Sequence, residues 1–174
     1  MKYNESRNVC LNTVIADGKP HKMVYDMIAD EADVAPMKLL YPSTAASGYF
    51  DLCPDNYGGA DGQGFIYIGE IPADDGTTRA PFDKTTAYGT ADVAKFNGYR
   101  LEKGRHYHVT SGDLTAQVEG LILKCGADGI VDEPAVPANT TPDTTGFGFT
   151  LIKGVSTTES IVEFLGLIHY DDSA

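Results

Sequence analysis

Two histidines lie two positions apart in the segment RHYHVTSGD, residues 105–113, and an aspartate follows them. On an extended strand, residues i and i+2 point to the same face, so His106 and His108 can lie side by side. Two neighbouring imidazoles could bind a metal ion or share a proton. A catalytic zinc site needs a third protein ligand, and only more distant residues such as Asp113 or His169 offer one.

The alternation of residue types in this segment favours an ordinary half-buried strand instead. Tyr107 and Val109 occupy the apolar parity. The opposite parity carries the polar residues, which are His106, His108 and Thr110. We therefore expect the histidines to line the solvent-facing side of a strand and predict that they bind no metal. A cupin-like metal enzyme that uses His106 and His108 is the alternative for this segment.

The sequence does not match the other motifs that are typical of catalytic or ligand-binding sites. The glycine-rich segment DNYGGADGQG, residues 55–64, resembles a calcium loop, but Tyr57, Gly59 and Ile66 fall where an EF-hand needs oxygen ligands. Ser111 lies in TSG rather than in a GxSxG elbow, and the sequence has no phosphate-binding glycine loop. We therefore predict a protein that is not an enzyme, with no catalytic, cofactor-binding or metal-binding residues.

Composition narrows the classes of partner. The chain of 174 residues has 25 acidic and 13 basic side chains, for a formal net charge of -12. Such a surface repels phosphate backbones, so we expect no binding to nucleic acid. No apolar run is long enough to span a bilayer, so we expect no membrane segment and synthesis in a cytoplasm. The wide spacing of Cys10, Cys53 and Cys125 favours reduced thiols over a disulfide framework.

The first 85 residues combine short apolar runs with many turn-forming residues, which is typical of an extended, loop-rich arm or subdomain. The spacing of Val24, Met27 and Ile28 predicts at most one short helix within residues 1–85. Residues 64–71, GFIYIGEI, are rich in β-branched and aromatic types. They predict the one clear strand of this region.

Residues 86–174 consist mostly of strand and turn patterns. Asn97-Gly98 is the dipeptide that a two-residue hairpin turn prefers, and STTE, residues 156–159, predicts another hairpin. Residues 133–146 contain three prolines and several threonines without apolar periodicity, so they predict a long surface loop. Together with the first half, these patterns predict a mainly β chain. We expect a small β-barrel or β-sandwich domain over 86–174, preceded by the loop-rich arm of residues 1–85.

The last predicted strand, residues 161–168, is apolar on both parities. One parity carries Val162, Phe164 and Ile168, and the other carries Ile161, Leu165 and Leu167. A strand buried on both faces lies at the centre of a barrel wall or in a subunit contact. The residues that we name as interface candidates are Ile161, Phe164, Leu165 and Leu167.

Three segments of the second half together form a succession of predicted strands and turns: KFNGYRLEKGRHYHVTSGDL, LILKCGADGIVD and GFGFTLIKGVSTTESIVEFLGLI. With this pattern, roughly residues 86–174 resemble the small β-rich decoration (cement) proteins of tailed-bacteriophage heads. The matching positions are Gly104, Tyr107, Val109 and Gly112, then Asp128, Gly129 and Ile130, and finally Val162, Phe164, Gly166 and Leu167. The first half of the chain does not match the small family members.

The resemblance implies an auxiliary capsid protein that binds the major capsid protein on the outside of the DNA-filled head and stabilises the shell. It implies a homo-oligomer, with a trimer as the favoured state, on the virion exterior after synthesis in the cytoplasm of a bacterial host. A modest interface becomes strong when a symmetric oligomer engages several coat subunits at once. The main alternative is a capsid-anchored fibre, or a tail or baseplate component, that binds a host surface glycan or receptor.

Overall fold

The computed structural model describes residues 14–30, 34–44, 47–58, 65–72, 95–134, 136–137 and 144–171. Within these ranges the chain forms eleven β-strands and one short 3-10 helix, Ala127–Gly129, and contains no α-helix. The predicted mainly β fold is confirmed, and it includes a small closed barrel. Four of the five barrel strands precede residue 86, whereas the barrel or sandwich was expected over residues 86–174. In the part of the chain that the structure describes, no helix has the length and apolarity needed to cross a membrane.

Five short strands from the first hundred residues close into a barrel. They are β1 (Met23–Ala29), β2 (Leu39–Pro42), β3 (Tyr49–Leu52), β4 (Tyr67–Pro72) and β5 (Lys95–Arg100). Their order is β1-β3-β2-β4-β5, and β5 pairs back with β1. The β1–β3 pair is parallel and the other pairs are antiparallel. Closure gives every strand two neighbours and so removes the open edges of a flat sheet.

The remaining strands form a second sheet. They are β6 (His106–Thr110), β7 (Ile122–Cys125), β8 (Val131–Pro134), β9 (Val136–Pro137), β10 (Thr144–Ser156) and β11 (Glu159–Asp171). Their order is β6-β11-β10-β7-β8, and β9 pairs with the end of β11. The strands β10 and β11 have 13 residues each. A tight turn at residues 157–158 joins them, so the hairpin predicted from STTE is confirmed.

One hydrophobic core joins the barrel to the second sheet. Leu39 and Ile68 of the barrel belong to the same buried cluster as Leu123, Phe149 and Val162 of the sheet. A second, smaller cluster fills the barrel and consists of Met27, Ala29, Val34, Leu40, Phe50, Leu52 and Phe96. Burial of apolar surface is the dominant favourable term in folding. Because both sheets bury side chains in the larger cluster, each stabilises the other.

The short helix predicted around Val24, Met27 and Ile28 is wrong, because these residues lie in strand β1. The register of β1 against β5 shifts between Val24 and Met27, as at a β-bulge. Asp26, inside this shift, has a positive φ of 56°. The bulge adds one residue between two inward-facing positions. Val24 and Met27 therefore both pack on the barrel cluster, at a spacing that imitates one face of a helix.

The two-residue turn predicted at Asn97-Gly98 is also wrong, because both residues lie inside strand β5. A Cβ at position 98 would collide with the carbonyl oxygen of Ile68 and would lie 2.8 Å from Sδ of Met27. A glycine inside a strand often marks such a close approach of a neighbouring backbone. Packing, rather than turn geometry, requires this glycine.

Three element boundaries differ from the predictions. The strand predicted at residues 64–71 is β4, which begins only at Tyr67, and three further barrel strands precede it where an arm was expected. The loop predicted at 133–146 contains the end of β8, all of β9 and the start of β10, while residues 138–143 lie outside the described ranges. The described strands change from barrel to sheet between β5 and β6. The domain boundary at residues 85/86 stays a prediction.

Candidate functional site

The pairing of β6 with β11 determines which residues share a face. His108 lies opposite Ile161, and Tyr107 lies opposite Val162. Directly opposed residues of antiparallel strands point to the same side of a sheet. Tyr107, Val109 and Val162 are fully buried, which confirms the predicted inward parity of the first two. The two histidines lie on the opposite face.

Each of these histidines lies beside a glutamate of β11. Nε2 of His106 is 3.5 Å from Oε2 of Glu163, and Nε2 of His108 is 3.3 Å from Oε2 of Glu159. The first pair is about one-third exposed, whereas the side chains of His108 and Glu159 are only 10% and 11% exposed. The prediction that both histidines face solvent is therefore wrong for His108, because its ring is enclosed together with the Glu159 carboxylate.

The described residues do not complete a metal site around this histidine pair. His169 lies beyond Glu163 on β11, about 20 Å along an extended strand, and its Nδ1 is 2.8 Å from Oγ1 of Thr145. Asp113 follows β6, and its carboxylate accepts hydrogen bonds from Thr115. Across the described ranges, no group of three or more His, Cys, Asp or Glu side chains could hold a metal ion. Neither third ligand considered from the sequence reaches the pair.

Sequence reasoning missed a polar cluster that joins the segment before β1 to the start of β6. Oδ2 of Asp17 accepts a hydrogen bond from Nε of Arg105 at 2.6 Å, and Oδ1 of Asp17 lies 3.4 Å from Nε2 of His21. Nδ1 of His21 lies 3.4 Å from the hydroxyl of Tyr107. That hydroxyl accepts a hydrogen bond from the backbone N–H of Glu102 at 2.8 Å. Asp17 and Arg105 are 88 positions apart, so no local pattern in the sequence connects them.

Burial and hydrogen bonding determine the protonation of this cluster. Burial alone would raise the pKa of Asp17, but hydrogen bonds from Arg105, two backbone N–H groups and His21 hold that pKa well below its usual range. Burial and the positive charge of Arg105 lower the pKa of His21. Burial raises the pKa of the Tyr107 hydroxyl to about 12. At neutral pH the cluster therefore contains an ionised carboxylate, a neutral imidazole and a protonated phenol.

The same cluster is closed to a substrate. The His21 side chain is 1% exposed, and Tyr107 is fully buried. A general base must come within hydrogen-bond reach of the proton that it removes, and no such approach is open here. Two backbone hydrogen bonds of 2.8 and 3.0 Å also join residues 14–16 to β6. The cluster thus acts as a clamp that fastens residues 14–21 along one edge of β6.

Two of the cysteines lie where the barrel contacts the second sheet. Cys53 and Cys125 are fully buried and free in the structure, and the reduced state of the cysteines stays a prediction. The N–H of Asn56 donates to the carbonyl of Cys125, and the N–H of Gly129 donates to the carbonyl of Cys53, both at 2.9 Å. Burial and the neighbouring Cys125 raise the pKa of the Cys53 thiol. A buried thiol with a raised pKa is a poor nucleophile. Cys10 lies outside the described residues.

The interface candidates of β11 separate into core and surface residues. Phe164 belongs to the core, where its ring packs against two other phenylalanine rings at centroid distances of 5.5 Å. It is therefore not available for an interface. Ile161 and Leu165 are half-buried, and Leu167 is 55% exposed. An interface role for these three residues stays a prediction.

A β-bulge determines which face of the sheet carries Leu167. Successive residues of β10, Gly148 and Phe149, pair with Gly166 and Phe164, so β11 has one extra residue at this point. Gly166 has a φ of 81°, which a glycine adopts without strain. Beyond the bulge, Leu167 lies opposite a buried phenylalanine of β10 and hence on the core face. The parity predicted for Leu167 is wrong, because the sequence gives no sign of the extra residue.

Similarity to known proteins does not narrow the function. No protein-family model matches the chain, and no curated protein matches it either. A functional proposal therefore rests on the contacts and exposure of the described residues, together with the resemblance in residues 86–174.

Proposed function

We propose that this chain is a virion structural protein: an auxiliary capsid protein that binds the outer surface of a phage head and stabilises the DNA-filled shell. The observation that carries the proposal is the exposed Leu167 at the rim of the core. Phe147, which lies opposite Leu167 on β10, belongs to the buried core. A hydrophobic core that continues outward to an exposed leucine offers a partner an apolar contact on a rigid strand.

The architecture supports a structural role. The barrel and the second sheet share one core, so the surface of the protein is defined before it meets a partner. Pre-organised surfaces bind with little backbone movement and so lose little conformational entropy on association. The net charge of -12 keeps free copies soluble until they bind.

The proposed partners are the major capsid protein and further copies of this chain, with a trimer as the favoured state. The contact at a single exposed leucine is small, so it is weak for a single copy. Symmetric assembly multiplies such a contact, because each further subunit binds at a high effective concentration.

The test is the amount of this protein in purified virus particles, measured by mass spectrometry against the major capsid protein. We expect copies on the order of hundreds per particle, as repeated binding on a symmetric shell requires. Leu167→Asp places a charge in the apolar contact and should reduce the bound amount at least tenfold. Val118→Asp is the matched control, because Val118 is 78% exposed and lies outside β11. Protein found only in the soluble fraction of infected cells would contradict the proposal.

Copy number per particle and the metal content of the purified protein test the two alternatives. A fibre, tail or baseplate component would be present at about a dozen copies or fewer, since tails have low-order symmetry. A cupin-like enzyme would hold a stoichiometric transition metal that is lost in the His106→Ala/His108→Ala double variant. Elemental analysis of the purified protein tests the second alternative directly.

A further inference from the structure

A cavity of about 340 Å³ opens at one end of the barrel. Its lining residues are Lys22, Val24, Phe50, Tyr67, Arg100 and Glu102. Lys22 directly precedes β1, Tyr67 is the first residue of β4, and Arg100 is the last residue of β5. The cavity therefore occupies the barrel mouth, a common place for small-molecule sites, which measure about 300–1,000 Å³.

Two aromatic rings line the cavity on the side of the barrel core. The rings of Phe50 and Tyr67 meet edge to face, with centroids 5.1 Å apart and an interplanar angle of 70°. Phe50 belongs to the cluster that fills the barrel, and Tyr67 packs against the same cluster. Because this cluster fills the interior below them, the cavity is a shallow mouth with aromatic groups at its base.

Two cations line the same cavity. Among the described residues, neither Lys22 nor Arg100 forms an ion pair, although acidic side chains outnumber basic ones by 25 to 13 in the whole chain. Cζ of Arg100 lies 3.5 Å from the ring centroid of Phe65, and this cation–π contact steadies the guanidinium. The carboxylate of Glu102 lies 3.6 Å from Arg105, whose nearer partner is Asp17 at 2.6 Å. The residues that line the cavity thus include two cations and one carboxylate, a net positive charge on an acidic protein.

We propose that the barrel mouth binds an acidic saccharide, a sugar ring that bears a carboxylate. Lys22 and Arg100 supply charge-assisted hydrogen bonds to the carboxylate. Tyr67, which is half-buried and packs on the core residue Phe50, offers apolar ring surface to the C–H groups of the sugar, and Glu102 accepts hydrogen bonds from its hydroxyls. One small site thereby matches the three chemical features of an acidic sugar.

Other ligand classes fit the same residues less well. A nucleic acid would be repelled by the net charge of -12 outside the cavity. A cationic ligand would meet two positive side chains, and a purely apolar ligand would desolvate them without compensation. A small inorganic anion would leave the aromatic rings without a partner. This binding site does not depend on the proposed capsid role, because none of its residues is needed for the contact at Leu167.

The test is a titration of the full chain with galacturonic acid, followed by two-dimensional NMR, with galactose as the neutral counterpart. We expect saturable shifts near the barrel mouth with a Kd on the order of 1 mM, as suits a ligand of few atoms. Lys22→Gln and Arg100→Gln should each weaken binding at least tenfold, because each removes one charge. Lys95→Gln is the matched control: Lys95 is an exposed cation on β5 that faces Asp26 at 3.6 Å and does not line the cavity.

Several results would overturn the proposal. They are equal binding of galactose, equal binding of acetate or phosphate, the absence of saturable binding, and unchanged affinity in the Lys22 and Arg100 variants. Thermal unfolding of each variant, monitored by circular dichroism, shows that a lost signal reflects the site and not the fold. These outcomes are independent of particle copy number, so the failure of one proposal leaves the other standing.

Discussion

The barrel and the second sheet differ in the length of their strands and in whether the strands close on themselves. The barrel uses strands of 4 to 7 residues and closes on itself. The second sheet is organised around two strands of 13 residues, which pair with shorter strands on both sides. Short strands contain too few residues for a period of two to be recognised, whereas the long hairpin is predicted from its turn at STTE. Closure, rather than strand length, therefore gives regular structure to a segment of loop-like composition.

The two regions also differ in what they present to a partner. The barrel mouth presents two cations above aromatic rings, whereas the sheet presents an exposed leucine at the rim of the core. The first suits a small anionic ligand and the second suits a protein surface. The shared core joins the two regions that carry these surfaces.

Truncation of a core phenylalanine should lower the stability most, and it tests whether the barrel and the second sheet fold together. Phe96→Ala removes a fully buried ring from the barrel cluster, and Phe149→Ala removes one from the shared core. Each should lower the free energy of unfolding by about 3–5 kcal/mol, from lost burial and the cavity left behind. Urea unfolding followed by far-UV circular dichroism and by tyrosine fluorescence should give one transition for each variant.

A surface phenylalanine is the matched control for this experiment. Phe65→Ala changes an exposed ring and should cost about 1 kcal/mol or less. A second, earlier transition in Phe96→Ala, with the sheet still folded, would show that the barrel unfolds alone. That result would contradict the stabilisation of each sheet by the other.

A smaller effect is expected at the clamp between the segment before β1 and the start of β6. Asp17→Asn keeps the shape of the side chain but weakens its hydrogen bonds to Arg105, so it should cost about 1–3 kcal/mol. The pKa of Asp17 is lowered in the folded state from a value of 3.8. The stabilisation is therefore fully present above about pH 4 and is lost as the pH falls below that value.

Chemical denaturation at several pH values measures this difference between wild type and variant. The control is Asp26→Asn, which changes an exposed carboxylate that faces Lys95 at 3.6 Å and should cost less than about 1 kcal/mol. Two results would show that the clamp is not a stabilising ion pair. One is an equal loss of free energy of unfolding in the two variants. The other is a loss in Asp17→Asn that remains as large at acid pH.

The last prediction concerns the contact between the barrel and the second sheet, and its readout is thiol reactivity rather than stability. Cys53 and Cys125 are both fully buried there, so neither thiol should react with Ellman's reagent in the native protein. A Cys10→Ser variant isolates these two thiols, and both should react after denaturation. Rapid labelling of the native variant would show that the barrel separates from the sheet on the timescale of the reaction.

The sequence predicts the parts of this structure that depend on local pattern. The hairpin at STTE and the inward parity of Tyr107 and Val109 follow from turn chemistry and alternation. The helix predicted at Val24 and Met27 is wrong, because a bulge in β1 gives these residues a helix-like spacing. Only the pairing of β1 with β5 reveals this bulge.

Contacts between distant residues lie beyond the reach of local pattern. The clamp at Asp17 and the cavity at the barrel mouth both depend on strand pairing that places remote residues together. Gly98 resembles a turn residue because close packing and tight turns both require a missing side chain. Closure of the barrel is likewise a property of the whole set of strands and leaves no mark on any one of them.

The most direct test of the central claim is a cryo-electron microscopy reconstruction of the intact virus particle that carries this protein. The proposed function predicts density for the barrel and the second sheet on the outer capsid surface, repeated with the symmetry of the shell. It also predicts that the rim at Leu167 faces a coat subunit or a neighbouring copy. Density for this chain confined to the tail, or missing from the particle, would contradict the assignment as an auxiliary capsid protein.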